Sequence, residues 1–138
     1  MDSAHQVHLL QVKLGDDRFA EEVTRWLVDA RPGDDWLGAV DGQQARSVYH
    51  YETPERARLK YLLAFVLPIE LRNCMIEALF ERHVGSSRAL ADQWYMGLDD
   101  LVLLEGAGHT VGGHGFAHDP LLRWPAQAQR LDLSRSAA

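Results

Sequence analysis

The chain has 138 residues and a formal net charge of −6, with 46% hydrophobic and 25% charged residues. This size and balance are ordinary for one folded domain, so we expect a single globular domain over residues 1–138. The net negative charge argues against non-specific binding to nucleic acid or to an anionic membrane.

Charge is distributed unevenly along the sequence. Residues 1–41 carry nine acids and four bases, residues 42–90 carry five acids and seven bases, and residues 91–138 carry six acids and three bases. Two acidic ends therefore flank a mildly basic middle. This distribution favours a basic protein partner over a polyanion.

The sequence indicates a cytoplasmic protein. Cys74 is the only cysteine, so no disulfide can form within the chain. Residues 1–5 lack the basic start and the apolar run of a secretory signal. The longest apolar stretch, residues 61–69, contains Pro68 and falls well short of the 18 or so residues that a membrane span needs. We expect no membrane contact.

Residues 5–14 predict a strand, because hydrophobic side chains such as Val7 and Leu9 occur at alternate positions there. In residues 18–30 the apolar side chains recur instead at helical spacing, and acidic residues occupy the first turns. This second segment therefore predicts a helix, which Arg31-Pro32-Gly33 should end.

A β-hairpin is predicted around Asp41-Gly42. Residues 36–40 and 44–51 flank this pair, which suits a tight turn because both of its residues tolerate positive φ. The second flanking segment contains Val48 and Tyr49, whose side chains favour strands.

Residues 54–83 predict a long central helix. Thr53-Pro54-Glu55 supplies a hydroxyl cap, a proline for the first helical position and an acid for the first turn. Pro68 should kink or break this helix because proline has no amide hydrogen. Leu63 and Leu79 lie in its apolar stripe, and we expect both side chains to be buried.

The later segments have weaker patterns. Ser86-Ser87 can cap a helix that runs through Met96. Residues 101–104 fit either a strand or the end of a helix, and their length does not decide between the two. Residues 106–119 indicate a loop and Asp119-Pro120 the start of a short helix. The end of the chain should be frayed.

These elements predict an α+β fold. A small antiparallel sheet of three to four strands would pack against the long kinked helix and shorter helices. The apolar stripe of residues 54–83 would cover one face of that sheet. Strands and helices do not alternate regularly, which disfavours a doubly wound parallel sheet.

The loop over residues 106–119 contains five glycines and the three histidines His109, His114 and His118. Imidazole is the commonest metal ligand in proteins, and three imidazoles with a carboxylate can hold zinc or iron with one position open for water. This pattern predicts a metal-dependent hydrolase or lyase site. The alternative is a surface loop whose histidines bond to backbone or solvent, because their spacings match no known ligand motif.

The sequence Asp92-Gln93-Trp94-Tyr95-Met96 places three large apolar side chains in a row on a short helix. All three cannot face one core, so at least one should be exposed, as at the centre of an interface. We therefore predict a binding site formed by Asp92, Trp94, Tyr95 and Met96. The alternative is burial on two sides, between the long helix and the end of the chain.

No set of residues forms a coherent catalytic site. Cys74 lies in the apolar stripe of the long helix, where cysteines are usually inert. We therefore expect a non-catalytic, acidic protein-binding module without a cofactor, such as a toxin-neutralising immunity protein or a small chaperone. The alternatives are the zinc- or iron-dependent enzyme and a subunit of a larger assembly whose glycine-rich segment orders only against another chain. The sequence does not decide whether the protein forms a homodimer.

Overall fold

A computed structural model describes residues 1–136, and every regular element in this range is helical. The α-helices in chain order are α1 (Ser3–Leu14), α2 (Asp16–Ala30), α3 (Gly42–Val48), α4 (Pro54–Tyr61), α5 (Ile69–His83), α6 (Ser87–Trp94), α7 (Leu98–Gly106) and α8 (Ala126–Ser136). A π-helical turn covers Leu62–Val66, and a 3₁₀ turn covers Leu121–Arg123. The predicted α+β fold with an antiparallel sheet is therefore wrong, because residues 1–136 contain no strand.

Residues 5–14, predicted as a strand, lie inside α1. Gln6 and Leu10 are buried four residues apart, and the half-buried Leu14 follows one turn later, so the three share one face of a helix. The apolar residues of this segment fit both the strand period and the helix period. Its leucines and glutamines have high helix propensity. The strand prediction considered only the alternation of hydrophobic and polar side chains and was therefore wrong.

Asp41-Gly42 begins α3 instead of forming a hairpin turn. Asp41 is the N-cap, because its Oδ1 accepts hydrogen bonds from the backbone N–H groups of Gln43 at 2.8 Å and Gln44 at 3.1 Å. Aspartate is among the strongest N-caps, and residues 43–46 are good helix formers, so capping outweighs the turn propensity. Neither predicted hairpin strand forms.

The predicted helix over residues 54–83 starts as expected but is divided into α4, the π-helical turn and α5. Thr53 caps α4 by accepting a hydrogen bond from the Arg56 N–H at 3.3 Å, and Pro54 occupies its first turn. Pro68 stands at the N-cap of α5 with extended backbone geometry. The predicted break at this proline is confirmed.

Leu63 and Leu79 are buried, as predicted, with 6% and 0% of their surface exposed. The position predicted for Cys74 is wrong, because its side chain is exposed. The buried stripe of α5 instead follows Met75, Leu79 and their neighbours, and Cys74 lies outside it. A one-residue step turns a helix by about 100°, which is enough to move a side chain off the stripe.

Contacts within the chain divide it into two compact units. The amino-terminal unit is Ser3–Gly85, and the carboxy-terminal unit is Met1–Asp2 together with the residues from Ser86 onward. In the amino-terminal unit α1, α2 and α5 pack on one another, and α3 packs on α4. Within residues 1–136 every buried hydrophobic side chain belongs to this unit, from Leu10 to Phe80. The single domain stays a prediction.

The carboxy-terminal unit contains two helices with side-chain hydrogen bonds at their starts. Ser86 Oγ accepts the Ala89 N–H at 3.3 Å at the start of α6, so the predicted serine cap is confirmed. Asp100 Oδ2 accepts the Gly97 N–H at 2.8 Å at the start of α7. Residues 101–104 lie inside α7, so the helical alternative is correct for them.

The rest of this unit combines a loop with two helical elements. Residues 107–119 have no regular secondary structure, which confirms the predicted loop except at Gly106, the last residue of α7. The short helix predicted at Asp119-Pro120 forms as the 3₁₀ turn that follows Pro120. The predicted frayed end is wrong as far as Ser136, because α8 continues to that residue. Residues 137–138 lie outside the described residues.

Glu22 of α2 is a buried carboxylate of the amino-terminal unit, with 8% of its side chain exposed. Its oxygens lie 3.1 Å from Arg25 Nη1, 3.6 Å from Arg82 Nη1 and 3.5 Å from His83 Nε2. Burial alone would raise the pKa of Glu22, but Arg25, His83 and Arg82 together outweigh this effect and hold the pKa below its ordinary value of 4.5. Two of them belong to the last turn of α5, so this cluster ties α2 to α5.

Replacing Leu79 by alanine should lower the free energy of unfolding by about 2–5 kcal/mol, because it leaves a cavity in the core. Leu63→Ala should have a similar effect. Urea denaturation followed by circular dichroism measures both. Val12, which is 85% exposed on α1, supplies the control, and Val12→Ala should change stability by less than about 0.5 kcal/mol. Unchanged midpoints for both leucine variants would contradict the described core.

The lowered pKa of Glu22 makes stability depend on pH in a defined direction. The charged carboxylate contributes fully above its unfolded value of 4.5, and this contribution is lost as the pH falls through the lower folded value. We expect Glu22→Gln to be less stable than the native chain at neutral pH, with a difference that shrinks below 4.5. Urea titrations at a series of pH values measure this difference, with the exposed neighbour Glu21→Gln as the control. A pH-independent difference would contradict the ionic role of Glu22.

Candidate functional site

Trp94, Tyr95 and Met96 occupy the end of α6 and the connection to α7. Their side chains are 59%, 43% and 61% exposed, so the prediction that at least one of them is exposed is confirmed. The alternative of burial on two sides is wrong for all three. Asp92, the fourth predicted binding residue, is also exposed on α6.

Tyr95 is held in place by the amino terminus of the same unit. Its Oη donates a hydrogen bond to Asp2 Oδ2 at 2.9 Å and accepts one from the Asp2 backbone N–H at 3.0 Å. Burial first, and then the Asp2 carboxylate, raise the pKa of Tyr95 above 10.0, although the Asp2 amide acts in the opposite direction. The hydroxyl therefore stays protonated and bound, and the partly exposed ring has a fixed orientation.

Helix α7 exposes apolar side chains on more than one of its sides. Five of its nine residues are leucine or valine, and none of its side chains is buried. Leu98, Val102 and Leu103 are 76%, 62% and 71% exposed. A helix that is apolar all round is normally buried inside a protein. We call this region the α6–α7 surface, and it comprises Trp94, Tyr95, Met96, Leu98, Val102 and Leu103.

Acidic side chains accompany the α6–α7 surface. Residues 86–106 carry four acids and one base, Arg88. The acids are all exposed, and they are Asp92, Asp99, Asp100 and Glu105. Asp100 also caps α7, so its carboxylate both stabilises the helix and adds to the negative potential. The region therefore combines apolar anchors with a negative charge.

The three predicted metal ligands do not converge. The rings of His114 and His118 lie 5.2 Å apart in an edge-to-face arrangement, and His118 Nδ1 is 3.5 Å from Asp2 Oδ1. His109 instead follows α7, where its backbone N–H donates to the Leu104 carbonyl at 3.0 Å. Among residues 1–136 no three histidine, cysteine, aspartate or glutamate side chains are grouped as metal ligands would be.

Asp132 of α8 fixes the histidine-containing loop, and sequence reasoning missed it. This carboxylate is 4% exposed and accepts hydrogen bonds from the backbone N–H groups of Phe116 at 3.0 Å and Ala117 at 2.8 Å. The Phe116 ring packs against the Arg135 guanidinium, whose Cζ is 4.1 Å from the ring centroid. A side chain at Gly115, where φ is 90°, would come within 3.2 Å of the Asp132 carboxylate. The loop therefore lies closely against α8.

Comparison with known proteins gives no further guide to this site, because no family model, curated protein or solved structure matches the chain. Within the described residues no helix combines the length and the apolar character needed to cross a bilayer. Functional inference therefore depends on the geometry of the α6–α7 surface and of the loop held by Asp132.

Asp132→Ala should release the loop from α8. Each hydrogen bond to this carboxylate contributes about 1.5–3 kcal/mol, so hydrogen exchange of the Phe116 and Ala117 amides should accelerate about tenfold or more. Amide exchange followed by NMR measures this change. Asp99→Ala, at an exposed carboxylate of α7, is the control and should leave both amides protected. Unchanged exchange in Asp132→Ala would show that other contacts fix the loop.

Proposed function

We propose that this chain is a non-catalytic protein-binding module whose α6–α7 surface receives a partner with an apolar centre and a basic rim. The observation that carries this proposal is the exposure of a helix, α7, that is apolar on most of its sides. An immunity protein that neutralises a basic toxin and a small chaperone are the two forms that fit this description. A cytoplasmic location belongs to the same proposal.

The distribution of burial supports a partner. All buried hydrophobic side chains among residues 1–136 lie in the amino-terminal unit, whereas α6 and α7 bury none. Helices of eight and nine residues are marginal in water without tertiary packing. Covering one exposed leucine such as Leu98 contributes about 1.5–3 kcal/mol, so a partner that covers several of these side chains gains substantial affinity.

The nature of the exposed side chains indicates where binding energy would concentrate. Interfaces depend on a few anchors, and tryptophan and tyrosine are over-represented among them. Trp94 supplies a large exposed ring, and Tyr95 supplies one that Asp2 already holds in place. Because the Tyr95 ring is already ordered, less conformational entropy is lost when a partner packs against it.

The charge of the region supports a basic partner. Four exposed acids accompany the apolar residues, against one arginine. Opposite charge at the rim of an interface mainly accelerates association and makes it sensitive to salt. A partner with lysine or arginine around an apolar centre fits both features.

The zinc- or iron-dependent hydrolase has less support. Only His114 and His118 of its three predicted ligands approach each other, and His109 lies at the end of α7. Asp132 holds the loop through the amides of Phe116 and Ala117, which accounts for its conformation without a ligand. The loop's contacts with α8 therefore favour a structural role.

The decisive experiment isolates the full-length chain at its native level, identifies any stoichiometric partner, and measures binding of the purified pair by calorimetry. We expect one basic protein. Trp94→Ala should weaken binding at least about tenfold, because an aromatic anchor contributes about 2 kcal/mol or more. Leu103→Ala should weaken it in the same direction, and Asp92→Asn with Asp99→Asn should slow association and reduce its salt dependence.

Val28→Ala provides a matched control, because Val28 is 59% exposed, as Trp94 is, but lies on α2 of the amino-terminal unit. It should bind the partner with native affinity. A partner whose affinity is insensitive to Trp94→Ala and Leu103→Ala would contradict the proposed surface. Self-association that Trp94→Ala abolishes would identify a second copy of the chain as the occupant and contradict the basic partner.

A further inference from the structure

An open cavity lies beside α3 and α4 in the amino-terminal unit, far along the sequence from the α6–α7 surface. Its volume is about 620 Å³, within the range of small-molecule sites. Basic, hydroxyl and aromatic side chains dominate its lining, and they are Arg46, Ser47, Tyr49, His50 and Arg58. This composition is unusual in a chain with a net charge of −6.

Arg58 is held in position at this cavity. Its Nη2 donates a hydrogen bond to the Leu37 carbonyl at 3.2 Å. Its Nη1 lies 2.9 Å from the point where a Cβ at Gly42 would stand, so the missing side chain allows the guanidinium to approach the start of α3 closely. Such an ordered guanidinium loses little further freedom when it binds an anion.

Arg46 is an exposed second guanidinium at the cavity, in the last turn of α3. Among residues 1–136 no acidic side chain lies within ion-pair distance of Arg46 or Arg58. Both guanidinium groups can therefore pair with a bound anion.

Glu52 is the one acid in the lining, and it is already paired. Lys60 Nζ contacts one of its oxygens, and Arg56 Nε lies 3.1 Å from the other. The hydrogen bond from Lys60, and then the charges of Lys60 and Arg56, lower the pKa of Glu52 below 4.5, although burial acts in the opposite direction. Its negative charge is therefore compensated, which leaves Arg46 and Arg58 as the lining's arginines without an acidic partner in the described part of the chain.

Ser47 and Tyr49 complete the lining with a hydroxyl donor and an aromatic ring. The Ser47 hydroxyl belongs to the lining, and burial raises the pKa of Tyr49 above 10.0, so the Tyr49 hydroxyl is protonated at neutral pH. The Tyr49 ring also offers an aromatic wall. The remaining volume exceeds what a phosphate ion alone would fill.

We propose that this cavity binds a small phosphate monoester, with Arg46 and Arg58 on the phosphate and Tyr49 beside the organic part. Guanidinium groups match phosphate oxygens with paired, charge-assisted hydrogen bonds. Because Lys60 and Arg56 compensate the charge of Glu52, this carboxylate does not repel the anion.

The test titrates inorganic phosphate and phenyl phosphate into the full chain at constant ionic strength, with amide shifts of residues 46–50 followed by NMR. We expect saturable binding of phenyl phosphate that is tighter than that of inorganic phosphate. Arg46→Gln should weaken it about tenfold or more, because a charge-assisted contact is lost. Arg58→Gln should do the same, and Arg46→Gln serves as the safer variant because Arg58 also bonds to Leu37.

Arg18→Gln is the control, because Arg18 is exposed on α2 outside the cavity lining. It should leave binding unchanged. Three results would each overturn the proposal: no saturable binding of phenyl phosphate, equal affinity for the two probes, or binding that Arg46→Gln does not weaken.

Discussion

The packing of α5 against α1 and α2 is the interaction on which the described structure depends. Met75 and Leu79 of α5, Leu10 of α1, and Phe19 and Val23 of α2 are all fully buried. The Glu22 cluster adds an ionic link between α2 and the end of α5. The side chains of this core all come from the amino-terminal unit, whereas α7 of the carboxy-terminal unit has no buried side chain.

Hydrogen bonds to aspartate side chains fix several segments of the carboxy-terminal unit. Asp132 binds two loop amides, Asp100 binds the amide of Gly97, and Asp2 binds the hydroxyl of Tyr95. Such contacts are directional, but each contributes only about 0.5–3 kcal/mol net. They can orient exposed apolar side chains without burying them. The proposed recognition of a partner depends on this preorganisation, because a side chain that is already oriented loses less conformational entropy on binding.

The sequence correctly predicted those features that a few neighbouring residues determine and for which only one local structure fits. Thr53-Pro54 starts a helix, and Pro68 breaks it, because a hydroxyl cap and a missing amide hydrogen act within one helical turn. The predictions for residues 5–14 and for Asp41-Gly42 were wrong because each segment is compatible with two local structures. Tertiary packing decided between them in the first segment, and N-capping decided in the second. Asp132 could not be found in this way, because its partners lie 15 and 16 residues earlier in the chain. Its only local signal was a single acid between Leu131 and Leu133.

The uneven charge of the sequence has a structural counterpart that connects the two proposals. The basic middle of the chain contributes Arg46 and Arg58 to the cavity, while its acid Glu52 is compensated by Lys60 and Arg56. The acids of residues 86–106 accompany the α6–α7 surface. Each surface therefore has a local charge that the net charge of −6 does not reveal. The two proposals therefore depend on different side chains, because the guanidinium groups that would bind an anion and the carboxylates that would attract a basic protein come from different segments of the sequence.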